Sequence, residues 1–439
     1  MNRLDFELEP GGMLHGECRV APDKSISHRA IMLASIAEGV TRIHGFLEAE
    51  DAISTLEAFR AMGVRIVGPE RGELEIEGKG LFGLMAPEHP LDLGNSGTSM
   101  RLLCGLLAGQ KFDSVLFGDR SLSRRPMRRV IQPLAWMGAR IEASEHTTAP
   151  LHIHGGQRLY GIEYAMPMAS AQVKSALLLA GLYAYGDTCI TETVATRDHT
   201  ETMLRGFSYP LRQDHNRICL TGQLRLIATE IDIPADISSA AFFMVGASIA
   251  PGSDVLLKHV GINPTRIGIL HILNGMGADI ELMNRREIGG EPVADMRVKS
   301  SALHGIRIPE SYVPLAIDEF PIVFIAAACA DGVTVLSGAE ELRVKESDRI
   351  QAMVDGLLEL GVEAVASDDG MVIRGGQLAG GQIDAKGDHR IAMAFSIAAL
   401  RAKDPIRIRD CANVNTSFPG FADMASSLGL RISLRESSR

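Results

Sequence analysis

The sequence predicts an α/β protein made of two similar domains, each built from three repeated units. Three observations support this prediction. The chain has 439 residues, which is more than one hydrophobic core usually organises. Two different sequence signatures recur along it, and their spacing gives six units of roughly seventy residues. A boundary near Pro234 divides these units into two groups of three.

The first signature is a helical pattern that ends in Leu or Met, followed by Gly and then by a short apolar alternation. Glycine suits the left-handed residue that closes a helix, and the alternation is typical of a half-buried strand. A sixth, degenerate copy is expected around Tyr209, because the gap between the second and third copies is about twice the others. The five clear copies are 62–66, 137–141, 276–280, 360–364 and 428–432.

The second signature is a turn of small polar residues that opens a very apolar helix. Helices as apolar as 100–107 are expected to be buried at the centre of each domain, whereas the other helix of each unit is amphipathic. Any one of these turns is also what ordinary helix capping requires. The six copies begin at Ser25, Asn95, Ser170, Asp236, Asp318 and Gly387.

Six such turns together predict an anion site. Helix N-termini present unpaired N–H groups and a partial positive charge, so several that face one cleft attract anions even in an acidic protein. Basic residues stand beside these turns, although an isolated one would usually be a solvated charge. Arginine forks match carboxylate and phosphate groups. These basic residues are Lys24, Arg29, Arg101, Arg125, Arg197, Lys345, Arg349 and Arg390.

Two carboxylates lie among these cations. Asp318 precedes a buried helix, and Glu346 stands between Lys345 and Arg349. Each could be only an ion-pair partner. Carboxylates held among fixed cations can also be tuned as general base and general acid, so both are candidate catalytic residues.

Composition limits the other function classes. With 46% hydrophobic and 22% charged residues, and with no apolar run of membrane-spanning length or targeting signal, the chain is expected to be soluble and cytoplasmic. The net charge of −10 argues against a nucleic-acid partner. The six cysteines form no Cys-x-x-Cys pair, so we expect reduced, buried thiols without disulfides or a structural metal.

Four segments carry a resemblance to a known family. Residues 21–30, 93–101, 343–349 and 387–390 are similar to motifs of the 5-enolpyruvylshikimate-3-phosphate synthase family, in order and along nearly the whole chain. The resemblance implies the enolpyruvyl transferase fold, an inverse α/β barrel with three βαβαββ units around buried helices in each domain. It implies one domain at 22–233, another at 1–21 plus 234–439, and an active site in the cleft between them.

The resemblance also implies a reaction and its residues. The 5-hydroxyl of shikimate 3-phosphate adds to phosphoenolpyruvate and phosphate leaves, with no metal or organic cofactor. Asp318, Glu346 and Lys24 would be catalytic. Shikimate 3-phosphate would contact Lys24, Ser25, Arg29, Ser170, Gln172, Arg197, Asp318 and Lys345. Phosphoenolpyruvate would contact Lys24, Gly97, Arg125, Gln172, Arg349 and Arg390.

Several positions depart from the best-known bacterial pattern and look like the family's second sequence class. The resemblance therefore carries no C-terminal lysine contact over to this chain, because Thr416 stands at that position. Gly97 leaves open the space that a methyl group fills in glyphosate-tolerant members, so we expect glyphosate to bind. The other departures are Ser96, Ser99, Leu102 and Ala171.

Competing interpretations remain. A related enzyme acts on UDP-N-acetylglucosamine but uses a loop cysteine, which residues 121–129 lack. A non-catalytic repeat scaffold that binds RNA ends is disfavoured by the negative charge. Residues 78–83 match a dinucleotide fingerprint, but prolines follow instead of a helix. His152 and His154 share a strand face without a third metal ligand. A monomer is expected.

Overall fold

A computed structural model describes residues 3–437, which form two compact units. The N-terminal unit comprises Pro22–Ile233 together with Glu287–Glu291. The C-terminal unit comprises the residues up to Ala21, Pro234–Arg286 and the chain from Pro292 onward.

The described chain contains many short strands, as expected for repeated α/β units. They are β1 Arg3–Leu8, β2 His15–Cys18, β3 Glu38–His44, β4 Arg65–Glu70, β5 Glu73–Lys79, β6 Leu91–Asp92, β7 Ser114–Phe117, β8 Arg140–Glu142, β9 Leu151–His154, β10 Glu163–Ala165, β11 Asp187–Thr191, β12 Leu211–Asp214, β13 Arg217–Thr221, β14 Glu230–Asp232, β15 Asp254–Gly261, β16 Asp279–Ile288, β17 Glu291–Lys299, β18 Val333–Leu336, β19 Glu363–Ala366, β20 Met371–Arg374, β21 Gly381–Asp384, β22 Ile406–Arg409 and β23 Ile432–Ser437.

The α-helices alternate with these strands. They are α1 Lys24–Ser35, α2 Glu50–Ala61, α3 Gly97–Ala108, α4 Arg128–Trp136, α5 Ala171–Gly181, α6 His199–Gly206, α7 Ile237–Ile249, α8 Gly268–Gly275, α9 Val313–Ala316, α10 Phe320–Cys329, α11 Arg349–Glu359, α12 His389–Ala398 and α13 Phe421–Leu428.

The N-terminal unit contains three four-stranded sheets of one topology. Their strand orders are β14-β3-β5-β4, β6-β7-β9-β8 and β10-β11-β13-β12. In each sheet the first pair is parallel and the next two pairs are antiparallel. The last strand of the unit, β14, thus returns to the sheet of the first.

The C-terminal unit repeats this arrangement with strands from the start of the chain. Its sheets have the orders β16-β17-β15-β2, β21-β22-β1-β23 and β18-β20-β19. The parallel pairs are β2 with β15 and β21 with β22. In the three-stranded sheet, a single parallel bridge between Arg307 and Val335 stands where the fourth strand would pair. The α/β class with six repeated units is therefore confirmed.

The apolar helices form the core of each unit. In the N-terminal unit α3 and α5 pack so closely that a Cβ added to Gly105 would lie 1.9 Å from the carbonyl oxygen of Ala176, which only glycine avoids. In the C-terminal unit every residue of α7 is buried, and α10 is buried except at its C-terminal cysteine. Both helices are apolar on all faces, as the sequence predicted.

The helix ends match both predicted signatures. Gly63, Gly138, Gly277, Gly361 and Gly429 have φ between +78° and +116°, and Ser208 takes the left-handed conformation at the degenerate copy. Five of the six predicted turns cap a helix through a side chain that accepts a backbone N–H bond. The capping residues are Asp23, Ser96, Ser170, Asp236 and Asp388, whereas Glu319 before α10 forms no such bond.

The prediction that all cysteines are reduced is wrong at one pair. Cys189 in β11 and Cys219 in β13 are bonded as a disulfide, with Cα atoms 4.1 Å apart. The two residues face each other directly across antiparallel strands, which brings side chains on one face into contact. The fold sets the register that pairs them, and this register cannot be read from the sequence because the two cysteines are 30 positions apart.

Among residues 3–437 there is no helix with the length and hydropathy that a membrane crossing requires.

Candidate active site

The N-terminal ends of α3 and α5 meet through Gln172. Its amide nitrogen donates to Thr98 Oγ1 at 3.0 Å, and its amide oxygen accepts from Arg101 Nη1 at 2.6 Å. Because both partners lie in the first turns of α3, Gln172 is held at the point where two helix N-termini meet. Two helix N-termini, each of which carries a partial positive charge, therefore lie close together here.

Gly97 is the first residue of α3, and a guanidinium lies directly over it. Arg125 Nη2 donates to Asn95 Oδ1 at 2.7 Å. A Cβ added to Gly97 would lie 2.8 Å from Arg125 Nη1 and 3.0 Å from Arg101 Nη1. Glycine is therefore required for both arginines to approach the start of the helix.

Lys24 and Ser170 mark the starts of α1 and α5. Lys24 Nζ pairs with the buried carboxylate of Asp51 at 3.0 Å while its own side chain keeps about a fifth of its exposure. Ser170 caps α5 by accepting from Val173 N at 3.4 Å. The ion pair with Asp51 thus fixes the direction of a partly exposed lysine side chain at the start of α1.

Arg29 is buried one turn after Lys24, and all of its nitrogens donate to oxygens of the same unit. Nη1 donates to Ser25 O at 2.9 Å, Nε to Thr200 Oγ1 at 2.6 Å, and Nη2 to Ser175 Oγ at 2.8 Å. These bonds hold the guanidinium between α1, α5 and α6. Its charge is fixed within the folded unit.

Arg197 lies in the segment between β11 and α6, which a buried ion cluster anchors. Lys174 Nζ contacts Glu192 Oε2 at 3.0 Å and Glu201 Oε1 at 2.7 Å. Glu192 in turn accepts from the backbone nitrogen of Thr196 at 3.1 Å. Burial by itself would lower the pKa of Lys174, but the two carboxylates outweigh it and the net pKa is raised. Burial raises the pKa of Glu201.

In the C-terminal unit the fully buried guanidinium of Arg349 contacts three carboxylates. Arg349 Nε contacts Asp388 Oδ2 at 2.9 Å, Nη2 contacts Glu346 Oε2 at 2.6 Å, and Nη1 contacts Asp318 Oδ1 at 3.5 Å. Burial opposes the charge of Arg349, but the three carboxylates raise its pKa above the ordinary value. Burial also opposes the charge of Asp388, and Arg349 still lowers the pKa of that carboxyl.

The two remaining predicted cations surround Asp318. Lys345 Nζ lies 3.7 Å from Asp318 Oδ1 and 2.8 Å from Glu341 Oε1. Arg390 Nη1 donates to the backbone oxygen of Asp318 at 2.8 Å and lies 3.8 Å from the buried carboxylate of Glu319. The partly exposed carboxylate of Asp318 therefore contacts two cations, Lys345 and Arg349, while Arg390 holds its backbone oxygen; a carboxylate placed in this way can exchange a proton beside an anionic ligand.

The predicted residues fall into one group in each unit, which we call the N-terminal and C-terminal clusters. Arg197 is placed in the N-terminal cluster only by its position before α6. The N-terminal cluster contains Lys24, Ser25, Arg29, Gly97, Arg125, Ser170, Gln172 and Arg197, and the C-terminal cluster contains Asp318, Lys345, Glu346, Arg349 and Arg390. In the described part of the chain, no group of three or more His, Cys, Asp or Glu side chains is placed to hold a metal ion.

Sequence reasoning did not include four residues that the structure places in contact with these clusters. Arg101 was noted as a neighbouring cation but was not assigned to the site. Asp51, Glu319 and Asp388 are buried carboxylates that each face a predicted cation. Glu319 and Asp388 stand in two of the predicted turns, but a turn signature does not name the cation with which a carboxylate pairs.

Comparisons with known proteins agree with this geometry. The family model for EPSP synthase (3-phosphoshikimate 1-carboxyvinyltransferase) matches residues 8–424. A 3-phosphoshikimate 1-carboxyvinyltransferase of Methylococcus capsulatus is 67% identical over 97% of this chain and 98% of its own length. One from Alkalilimnicola ehrlichii is 64% identical over 98% of this chain and 96% of its own.

A solved structure has the same fold. EPSP synthase from Acinetobacter baumannii superimposes with a TM-score of 0.89 at 55% sequence identity, covering 99% of this chain and 100% of that one. The family match spans both clusters, and the resemblance noted in four sequence segments extends over residues 8–424. The chain therefore belongs to the EPSP synthase family.

Proposed function

We propose that this chain transfers the enolpyruvyl group of phosphoenolpyruvate to the 5-hydroxyl of shikimate 3-phosphate and releases phosphate, a step toward chorismate and the aromatic amino acids. The observation that carries the proposal is the placement of Asp318 and Glu346 around one buried guanidinium, Arg349, in a member of this family. Two carboxylates in contact with the same fixed cation can serve an addition and an elimination in turn.

In the addition, the 5-hydroxyl oxygen bonds to C2 of phosphoenolpyruvate. Asp318 accepts the hydroxyl proton, and Glu346 delivers a proton to C3 as the double bond is lost. Lys24, which is paired with Asp51, stabilises the negative charge that develops. The product of this step is a tetrahedral adduct that still carries the phosphate.

In the elimination, the C2–O bond to phosphate breaks and C3 loses a proton to Glu346. The double bond re-forms, and inorganic phosphate leaves. Microscopically, Glu346 acts first as acid and then as base, which one carboxyl group can do when it is held beside a fixed cation.

Both substrates are anionic, so fixed positive charge offsets their repulsion. We propose that both clusters take part in the same reaction. Shikimate 3-phosphate contacts Lys24, Ser25, Arg29, Ser170, Gln172, Arg197, Asp318 and Lys345. Phosphoenolpyruvate contacts Lys24, Gly97, Arg125, Gln172, Arg349 and Arg390.

The test is to mix the protein with both substrates, follow phosphate release, and identify the organic product by mass. Release that requires both substrates and gives the enolpyruvyl ether supports the proposal. Release with UDP-N-acetylglucosamine instead of shikimate 3-phosphate would assign the related transferase reaction. No phosphate release with either acceptor would favour a non-catalytic scaffold.

A variant pair ties the activity to the site. Asp318→Asn keeps the size of the side chain but removes the proton acceptor, so kcat should fall about 10²–10⁴-fold. Asp404→Asn changes an exposed aspartate of the same unit and serves as the control. Equal activities of the two variants would remove Asp318 from the mechanism.

Three further properties belong to this proposal. Glyphosate competes with phosphoenolpyruvate, and unchanged activity at high glyphosate with limiting phosphoenolpyruvate would contradict this. The protein is a monomer, which light scattering tests against the chain mass of 47.2 kDa. It acts in the cytoplasm, which cell fractionation tests.

A further inference from the structure

His28 is a buried histidine that the proposed reaction does not use. It lies in the second turn of α1, and its side chain is inaccessible to solvent. Nδ1 lies 2.8 Å from Thr55 Oγ1 and 3.2 Å from Ser99 Oγ, and Nε2 lies 3.5 Å from Ser96 Oγ. The ring therefore contacts hydroxyl groups from α2 and from the start of α3.

These hydroxyl groups also bond to one another. Ser99 Oγ lies 2.7 Å from Ser96 Oγ and 2.5 Å from Thr55 Oγ1. Ser96 Oγ accepts from Ser99 N at 3.1 Å and so caps α3. We call the imidazole and these three hydroxyls the His28 network; Thr55 Oγ1 also donates to the backbone oxygen of Asp51 at 3.3 Å, which ties the network to α2. A fully satisfied buried polar network fixes the relative positions of the elements that contribute to it.

The His28 network joins two groups of proposed substrate contacts. Its histidine shares α1 with Lys24, Ser25 and Arg29. Its serines flank Gly97 on either side. The network thus connects the helix that carries three proposed shikimate 3-phosphate contacts to the turn that carries a proposed phosphoenolpyruvate contact.

The imidazole is neutral. Burial, together with the charges of Lys24 and Arg29, holds the pKa of His28 well below its ordinary value. A neutral ring has one donor nitrogen and one acceptor nitrogen, and hydroxyls can satisfy either. The ring can therefore hold the two helices together without adding a charge beside the anion contacts.

We propose that His28 is a positioning residue that sets the distance between the starts of α1 and α3, and thereby places Gly97 against phosphoenolpyruvate. This inference rests on the proposed function. His28 touches neither substrate. It acts through Ser96 and Ser99, which hold the turn on which Gly97 lies and over which Arg125 stacks its guanidinium.

The geometry predicts a ranking of variants. His28→Asn keeps a polar atom near the position of Nδ1, where the two shorter contacts lie. His28→Gln keeps one near Nε2, where the single contact is 3.5 Å. His28→Leu keeps apolar bulk and loses every hydrogen bond. The asparagine variant should therefore be closest to the parent, and the leucine variant furthest from it.

The experiment measures kcat and KM for each substrate in the parent and the three variants, with thermal unfolding as a check of folding. Displacing a contact by a fraction of an ångström to 1 Å should raise KM for phosphoenolpyruvate roughly ten- to hundredfold in His28→Leu. KM for shikimate 3-phosphate should change less, because Lys24, Ser25 and Arg29 keep their positions relative to one another along α1, and His28→Asn should recover most of the loss.

The control is His154→Leu, which removes a histidine of the same unit; His154 lies on β9, outside the His28 network, and pairs with Glu142 on the neighbouring strand β8 at 3.0 Å. A purely structural role for His28 would lower stability and kcat without separating the two KM values. Equal KM values for phosphoenolpyruvate in folded His28→Leu and the parent would overturn the inference. A KM for phosphoenolpyruvate closer to the parent's in His28→Gln than in His28→Asn would also overturn the inference.

The activity of the unsubstituted protein distinguishes a failure of this inference from a failure of the proposed function. An inactive parent contradicts the proposed reaction, and calorimetric titration of phosphoenolpyruvate then tests the positioning directly in parent and variants. If His28→Leu fails to fold, two other measurements replace it. One is the comparison of His28→Asn with His28→Gln, and the other is the variant Ser96→Ala. Ser96→Ala should raise KM for phosphoenolpyruvate, and an unchanged KM would overturn the inference.

Discussion

Replacing Lys174 by Met tests the buried ion cluster that anchors the segment before α6. Lys174 is inaccessible to solvent and lies 3.0 Å from Glu192 and 2.7 Å from Glu201, which are also buried. The substitution keeps an unbranched apolar side chain but leaves two carboxylates without their shared cation. Removing one partner of a buried ion pair costs about 3–5 kcal/mol.

This cost can be read as a thermal shift. For a domain of about 150–250 residues, each kcal/mol lost from the free energy of unfolding lowers the midpoint of thermal unfolding by roughly 2–4 °C, so we expect that midpoint to fall by on the order of 10 °C. Calorimetry measures it. Lys386→Met is the matched control, because Lys386 also lies 3.0 Å from its partner, Asp355, but both side chains are largely exposed. Exposed pairs contribute only about 0–1 kcal/mol.

The pH dependence gives a second, independent result. Burial raises the folded-state pKa of Glu201 above its unfolded value. A carboxyl group of this kind stabilises the fold at acid pH and loses that contribution as pH rises through its folded pKa. Without Lys174 the pKa of Glu201 rises further, so protonation relieves the variant more than the parent. The difference in midpoint should be largest near neutral pH and should shrink toward about pH 5.

Two outcomes would refute this reasoning. One is a midpoint for Lys174→Met no lower than that of Lys386→Met. The other is a deficit that stays constant with pH. A third measurement extends the test to function, because Arg197 follows directly after Thr196, which Glu192 holds. KM for shikimate 3-phosphate should rise in folded Lys174→Met at temperatures well below its midpoint.

Three other substitutions test the two clusters. Gly97→Ala would push Arg125 and Arg101 away by placing a Cβ within 3.0 Å of both, so KM for phosphoenolpyruvate should rise about tenfold with an unchanged midpoint. Glu346→Gln keeps an acceptor for Arg349 Nη2 but cannot transfer the proton, so single-turnover rates should fall about 10²–10⁴-fold. Arg349→Lys cannot bridge the carboxylates that the guanidinium joins, so both the midpoint and activity should fall, and activity close to the parent's would contradict the assigned role.

Local patterns in the sequence predicted the fold well. Gly63 and its counterparts end helices in the left-handed conformation, which glycine adopts without strain, and a strand follows each of them. Ser96, Asp388 and the other capping residues could be found because a cap is read within four residues of chain. The repetition of both signatures established six units, which no single copy could have done.

Contacts between distant segments could not be predicted in the same way. Cys189 and Cys219 pair because two strands share a register that neither strand encodes alone. Lys174 looked like any charged residue near a helix start, although its two partners follow 18 and 27 residues later and bury it completely. Asp388 was recognised as part of a motif, but its ion pair with Arg349 was not.

The way the strands are shared has a consequence for biosynthesis. Strand β1 ends at Leu8, whereas its partners β22 and β23 begin only at Ile406 and Ile432, so β1 is synthesised well before them. At typical translation rates β1 waits roughly 20–80 s for them. The segment 22–233, in contrast, carries all twelve strands of its own three sheets and can fold while synthesis continues. Strand β1 carries Leu4, Phe6 and Leu8 on one face, and an unpaired strand with an exposed apolar face invites aggregation, so the ribosome-bound chain should need a holding chaperone at β1 rather than within 22–233.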